Sequence, residues 1–477
     1  MYNRRTDARP FALVLAALVI SRLLCFFIAT PLEGLGPYTE WAREYQIVQR
    51  DGHNFYDYHE RRIMAKGQAN LLDEARYVEY PPLAMMVIVL PAVGLPVAEG
   101  EGSMPADVAA RYALFYHLEM LVFDLLAFGL VAWLVRRLYP EESPWEQAER
   151  LLVYLGATAL LGHLLYNRLD MVLTALLVLA LVLLLRPVHY FWSYLVLSAA
   201  IAFKLVPLVL VPVWVLGALP ACWPAGGGLR ALIPLVGRSG LLLTLTAAWF
   251  APFWALGGPR IFDFLMFHKD RGLEIESTYS SALMALEPFW LDLAVDERYG
   301  GYNLLTVWSQ PIARISGLLT AALLAGASLM LLRTLWRRSD AEEPPTPGGT
   351  LAQVRPHLFV YYSLVLLLLA VVSSKVFSPQ YLLWVLPLAV LGPWRPWSRR
   401  VVMWGLVVIC ALTTLIFPVL FWKHVTGMIV PRTEPPQFHG PDALGISVLV
   451  LRNVLLVGLT VLVIVFGARL RARSASK

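Results

Sequence analysis

Charge is what this sequence has least of. Asp, Glu, Lys and Arg make up 15% of its 477 residues, against 58% apolar residues, and mean hydropathy is +0.63. A soluble chain of this size carries about a quarter charged residues. There is too little charge here to cover soluble domains, so a soluble enzyme and a disordered chain are both excluded. Cysteine is scarcer still. Cys25, Cys222 and Cys410 lie far apart with no C-x-x-C pair. That excludes a disulfide scaffold and a structural zinc site, and reads the three as small buried hydrophobes.

Several signatures of soluble chemistry are also missing. No G-x-x-x-x-G-K-[ST] loop occurs, which argues against a nucleoside-triphosphate-driven pump. Neither G-x-S-x-G nor H-E-x-x-H is present. No internal or inverted repeat is visible, which argues against a transporter.

What the chain has is long apolar runs. Windows able to cross a bilayer core of roughly 30 Å lie at 11–30, 81–97, 113–135, 151–166, 170–186, 190–219, 240–257, 316–333, 357–374, 377–393, 401–421 and 446–467. The fold predicted is an all-α polytopic membrane protein of about twelve (11–13) transmembrane helices. The first run is about 20 residues and no A-x-A site follows it, so it reads as an uncleaved helix rather than a signal peptide.

The net charge of +6 follows the same pattern. Arg4 and Arg5, Arg136 and Arg137, Arg337 and Arg338, Arg399 and Arg400, and Arg469, Arg471 and Arg473 all flank apolar runs. This is the positive-inside signature of cytoplasmic loops, not a nucleic-acid surface. It puts both termini, 228–238, the linker 337–356 and 394–400 inside. Two long loops, 31–80 and 258–311, then lie outside, joined by a shorter one at 423–445. Two readings of the early helices remain. In the preferred one, 81–97 crosses and Arg136, Arg137 and Arg150 fall outside. In the other, 81–97 is re-entrant, those arginines face in, and 190–219 splits into two crossings.

A charge in or beside a span is costly and calls for a role. Arg22, Glu119, Asp124, Arg168, Asp170, Lys204 and Lys375 qualify. Ion pairs between helices account for the Glu119/Asp124 and Arg168/Asp170 sets equally well. Lys204, in AFKLVP, has no adjacent carboxylate and suits an anionic lipid phosphate, or else snorkels or pairs with a carboxylate distant in sequence. The first outer loop carries Glu33, Glu40, Glu44, Asp51, Asp57, Glu60, Asp73, Glu74 and Glu79 among Tyr and Trp residues such as Tyr38, Trp41, Tyr45, Tyr56, Tyr58 and Tyr80. That mixture suits sugars, which stack on rings and give hydroxyl protons to carboxylates; a solvated loop reads as well. A short amphipathic helix is predicted near 38–48. The second outer loop holds His268, Lys269 and Arg271 together, a solvated run or a phosphate grip.

Four segments resemble membrane glycosyltransferases of the GT-C type, and most closely glycosyltransferase family 87, the polyprenol-phosphate-mannose-dependent mannosyltransferases. They are EYPPLAMMVIVLP at 79–91, AFKLVPLVLVP at 202–212, HKDRGLEIESTYSS at 268–281 and FSPQYLLWVLPL at 377–388. GHLLYNRLD at 162–170 is a looser match. They occur in the family's order. The resemblance implies transfer of a hexose, mannose first, from a polyprenyl-phosphate donor to a lipid or glycan acceptor. It places the active site on the outer face of the bacterial plasma membrane, within a single membrane-embedded domain.

The family carries an early Asp in its first outer loop. No Asp occurs here between Thr30 and Asp51, and Glu40 is the positional equivalent. The implied roles are Glu40 as general base, with His268 catalytic beside it. Lys204, Arg271 and Lys375 hold the donor phosphate. Tyr80, Glu276, Gln380, Tyr381 and Asp170 bind substrate. Some GT-C enzymes use a divalent cation, but neither outer loop has an Asp-x-Asp motif, so no metal and no cofactor are expected. The expected partners are the donor, the acceptor and membrane lipids, with no nucleic acid. The competing readings are a flippase for lipid-linked sugars and a non-catalytic scaffold.

Overall fold

The computed structural model describes residues 8–29, 35–52, 54–65, 77–96, 103–223, 231–286, 293–338, 349–428 and 438–473. Helix dominates throughout. In chain order the principal helices are α1 (Arg9–Ile28), α2 (Gly36–Asp51), α3 (Phe55–Ala65), α4 (Pro82–Val89), α5 (Ala106–Leu138), α6 (Pro144–Leu160), α7 (Asp170–Leu185), α8 (Tyr190–Phe203), α9 (Val211–Gly217) and α10 (Leu232–Gly257). They continue with α11 (Asp263–Asp270), α12 (Thr278–Ala285), α13 (Ser309–Arg338), α14 (Pro356–Ser373), α15 (Leu382–Val390), α16 (Pro396–Thr414) and α17 (Ala443–Arg473). One antiparallel hairpin, β1 (Ala294–Arg298) and β2 (Gly301–Leu305), interrupts the helical pattern between α12 and α13.

Seven helices are long and apolar enough to cross a membrane: Arg9–Ile28, Ala106–Leu138, Leu232–Asp270, Ser309–Trp336, Pro356–Ser373, Pro396–Val425 and Ala443–Gly467. Five apolar helices are shorter: Pro82–Ala92, Asp170–Leu185, Tyr190–Phe203, Val206–Gly217 and Pro379–Val390. The protein is an all-α integral membrane protein.

The helix inside the 81–97 window is shorter than the window itself. α4 has eight residues and the 3₁₀ turn Leu90–Ala92 adds three. At 1.5 Å per residue that is about 16 Å, half a bilayer core. Its two ends rest on one helix. At the start, the Tyr80 and Tyr38 hydroxyls are 3.2 Å apart. At the end, Gln46 Nε2 donates to the carbonyls of Ala92 (2.8 Å) and Leu95 (3.1 Å). Tyr38 and Gln46 both belong to α2, so the segment lies along α2 instead of leaving it. By contrast, 190–219 divides. Lys204 is extended (φ −156°, ψ 136°), and Pro207 in the next turn keeps α8 from continuing.

The basic segments gather at one end of the bundle. The Arg136 guanidinium lies over the Phe11 ring, 4.5 Å from its centroid. Arg150, fully buried, holds Glu142 with two bonds (2.9 and 2.6 Å) and also donates to the Gly392 carbonyl at 3.2 Å. Arg399 reaches Glu142, Glu146 and Glu149. Ser143 and Glu146 form the capping box that starts α6 here. Gln353 donates to the Arg186 carbonyl and Arg238 to that of Ala218.

Between the two ends runs a packed apolar core holding one ion pair. Arg22 on α1 grips Asp124 on α5 through two 2.8 Å bonds, and Tyr166 and Thr158 complete the shell. Arg22 is 5% exposed and Asp124 not at all, so removing either partner strands a charge. Glu119, on the same helix as Asp124, has an oxygen with no partner among the described residues. Cys25 and Cys410 are buried as expected, while Cys222 is exposed. A second, smaller apolar cluster, including Leu273, Ile275, Leu304, Ile416 and Phe421, supports the β hairpin.

Candidate functional site

Opposite the arginine-rich end, side chains from six separate segments meet. Lys204, released from α8 by its extended backbone, lies 2.9 Å from Asp170 at the first residue of α7. Its ammonium also faces the rings of Trp384 (4.9 Å) and Tyr381 (5.6 Å). Those two rings stack at 4.4 Å. Apolar faces of this kind shelter a cation without neutralising it.

The segment after α11 runs along β2. Ile275 N–H donates to the Tyr302 carbonyl and Leu304 N–H to that of Leu273. This seats Arg271 against the hairpin turn, with Nη2 3.5 Å from Glu274 Oε1 and 3.5 Å from the Gly300 carbonyl. Lys375, just past α14, ties down the same strand by donating to the carbonyls of Lys269 (3.0 Å) and Arg271. The turn favours glycine at Gly300, and at Gly301 it leaves no room for a side chain unless Arg271 moves. A Cβ on Gly301 would stand 2.7 Å from Arg271 Nη2, and Gly300 has φ +62°.

Glu79 arrives at the same turn. A Cβ on Gly300 would be 3.6 Å from its Oε2. Its carboxylate is in the field of Arg271, Arg168, Lys204 and Asp170. Arg168 in turn lies in the field of Glu79 and beside Tyr38, whose hydroxyl contacts that of Tyr80. His268 lies in the field of Arg271, Lys204 and Lys375. Arg168, Lys204, Arg271 and Lys375 are thus gathered with Glu79, Asp170 and Glu274, and Asp270 also lies in the field of Lys375.

Burial tunes these groups. Desolvation raises Glu79 above the ordinary carboxylate range, and the neighbouring arginines offset it only in part. Desolvation pushes Glu274 up to about 7 against the pull of Arg271. Lys375 is lowered by desolvation and then by Arg271. Tyr80 is raised by desolvation and by Glu79.

Of the residues singled out from the sequence, Tyr80, Asp170, Lys204, His268, Arg271, Lys375 and Tyr381 converge here. Gln380 sits half-buried beside Tyr381, in the 3₁₀ turn Pro379–Tyr381. Glu276 is buried and held by Arg452 (2.8 Å), while Asn453 donates to its carbonyl, so it ties the second outer loop to α17. Glu40 is not brought to the cluster. Tyr38 points into it and is 2% exposed. Two residues along a helix is a rotation of about 200°, so Glu40 faces the other way. There it is 54% exposed and 3.7 Å from Arg62. Glu44, on that same far side, is buried against His59 and Arg62.

Glu79, Arg168, Glu274 and Trp384 are the members to which the sequence assigned no site role, although Arg168 stood out as a charge at a helix end and Glu79 as the first residue of the EYPPL segment. Among the described residues no group of three or more His, Cys, Asp or Glu side chains is arranged to hold a metal ion.

An apolar cleft of about 490 Å³ opens next to the cluster, between α2, α3, α4 and the end of α10. Tyr45, Phe55, Pro82, Met85, Val89 and Leu256 line it. Pro82 joins it to Tyr80. The arrangement is a cluster of cations and carboxylates, with an apolar cleft whose lining begins at Pro82, two residues after Tyr80. It can hold a phosphate while a carboxylate takes a proton. The chain matches no protein-family model, no curated protein and no solved structure.

Proposed function

We propose that this protein is a membrane glycosyltransferase of the GT-C type. In this reading it moves a hexose, mannose first, from a polyprenyl-phosphate donor to a lipid or glycan acceptor. The observation that carries it is the convergence of Lys204, Arg271 and Lys375 with Glu79, Asp170 and Glu274 at one end of an apolar bundle. A soluble sugar nucleotide needs no membrane; a lipid-phosphate sugar needs both a cationic pocket and an apolar groove. The cleft beside Tyr80 and Pro82 supplies the second requirement.

The mechanism follows from charge. The bond between the anomeric carbon and the phosphate oxygen breaks, and negative charge grows on the phosphate. Arg271, Lys204 and Lys375 offset that charge. The acceptor oxygen attacks in line and inverts the anomeric centre, and a carboxylate of the cluster takes its proton. The apolar cleft holds the first units of the polyprenyl chain.

The topology that supports this reading has twelve crossings. Pro82–Ala92 is re-entrant, and Tyr190–Phe203 and Val206–Gly217 cross separately. Glu142 binds Arg150 and Arg399 together, so the loop at 139–143 shares a side with the start of α16. The positive-inside rule makes that side cytoplasmic and the cluster outward-facing, in a bacterial plasma membrane.

The test is transfer of labelled mannose from polyprenyl-phosphate-mannose into lipid extract by the purified full-length protein. Transfer by wild type and its loss in Arg271→Ala is the outcome expected. If the wild type is inert with mannose, glucose, arabinose and amino-sugar donors alike, the reading fails.

A further inference from the structure

We propose that Glu79 is the general base of the transfer, an assignment that rests on the glycosyltransferase reading of the site. Three carboxylates share the cluster, and two are already engaged. Asp170 is 2% exposed and bound by Lys204 at 2.9 Å. Glu274 has one oxygen 3.5 Å from Arg271, and its other oxygen, without a hydrogen-bond partner among the described residues, is buried out of reach of an incoming hydroxyl. Glu79 is half-buried, and among the described residues it makes no hydrogen bond and no ion pair within 4 Å. It is the carboxylate that an incoming hydroxyl can reach.

Its position fits the reaction. The Glu79 carboxylate and the Arg271 guanidinium meet the two adjacent glycines of one turn, Gly300 and Gly301. The base and a phosphate ligand are thus side by side, with the apolar cleft beginning three residues on at Pro82. In the step, the acceptor O–H proton passes to Glu79 as the acceptor oxygen bonds to the anomeric carbon. The bonding pair of the broken carbon–oxygen bond leaves on the phosphate. The products are the glycosylated acceptor, polyprenyl phosphate and protonated Glu79, which returns its proton to water. Partial desolvation suits this role, because a weakly acidic carboxyl is the stronger base.

The experiment compares wild type, Glu79→Gln, Glu79→Asp and Glu40→Gln, purified full-length and reconstituted in liposomes. Two quantities are measured: transfer from labelled polyprenyl-phosphate-mannose, and equilibrium binding of that donor. Glu79→Gln should lose about 100-fold or more in kcat while donor binding stays within about threefold. Glu79→Asp should recover part of the rate, and the acid limb of the kcat pH profile should vanish in Glu79→Gln. Glu40→Gln should transfer within about threefold of wild type. Transfer by Glu79→Gln near the wild-type rate overturns the assignment and leaves the glycosyltransferase reading standing. So does parallel loss of binding and transfer, which would make Glu79 a structural residue. A wild type inert with every lipid-phosphate sugar overturns both.

Discussion

The Lys204 ammonium lies 2.9 Å from the Asp170 carboxylate and 4.9 Å from the centre of the Trp384 ring, so one cation is fixed by a charge and a π face together. Asp170 is almost wholly buried. Lys204→Met therefore removes the proposed phosphate ligand and also strands a carboxylate, at a cost of about 3–5 kcal/mol. The double variant Lys204→Met/Asp170→Asn removes both charges and should regain most of that stability without regaining transfer. Thermal unfolding and label transfer, measured on the same samples, separate the two effects. Equal transfer by the double variant and wild type would take Lys204 out of the site.

Gly301→Ala tests how Arg271 is held. The new methyl meets Arg271 Nη2 at 2.7 Å, and the far end of a flexible side chain yields before backbone does. Arg271 should swing off the hairpin turn while the fold survives. Losing one charge-assisted contact to the donor corresponds to about 10- to 100-fold. A rise of that size in donor KM, with thermal stability nearly unchanged, is the expected outcome of initial-rate measurements.

Glu274 gives the protein a pH dependence of known sign. Desolvation puts its folded value at about 7, above the ordinary value for a glutamate. A group raised on folding stabilises most below its unfolded value, and that contribution is lost as pH rises through the folded value. The melting temperature should fall between about pH 4 and pH 7 for this reason. Glu274→Gln should flatten that slope. An unchanged slope in differential scanning calorimetry across this window would show that Glu274 does not titrate there.

Arg22 and Asp124 supply the control far from the site. Arg22→Met alone leaves Asp124 charged in the apolar core, with a loss of about 3–5 kcal/mol. Pairing it with Asp124→Leu should restore much of this, since a matched apolar pair replaces a buried ion pair at little cost. Urea unfolding in detergent reads the difference. Additive losses in the double variant would show that the two residues act independently.

Much of the site was legible because charge is rare here. Lys204, Asp170 and Lys375 stand beside long apolar runs, and Arg271 stands in the charged HKDRGLE segment, so each announced itself. Glu79 did not, because the first outer loop offers nine carboxylates of similar context. Choosing among them needs the rotation of α2, which turns Tyr38 inward and Glu40 outward, and the contact of Tyr80 with Tyr38. The early topology had the same limit. Hydropathy cannot tell an 11-residue half-helix followed by apolar loop from a spanning helix. The Gln46 contacts to Ala92 and Leu95 show that this helix ends early and stays against α2, and no local pattern encodes them.

Cys222 offers a direct test of which end faces the cytoplasm. It is exposed, and beside it Trp223 packs edge-on against Trp336 near the end of α13. That is the arginine-rich end of the bundle. Cys25 and Cys410 are buried and should stay silent toward thiol reagents. A membrane-impermeant maleimide applied to intact cells should therefore leave the protein unlabelled. Permeabilised cells should give labelling that Cys222→Ser abolishes. An Asp51→Cys variant in a Cys222→Ser background should behave in the opposite way, because α2 lies with the cluster at the far end. Labelling of Cys222 in intact cells would invert the protein and put the cluster inside. A lipid-phosphate donor would then have to be met at the inner leaflet.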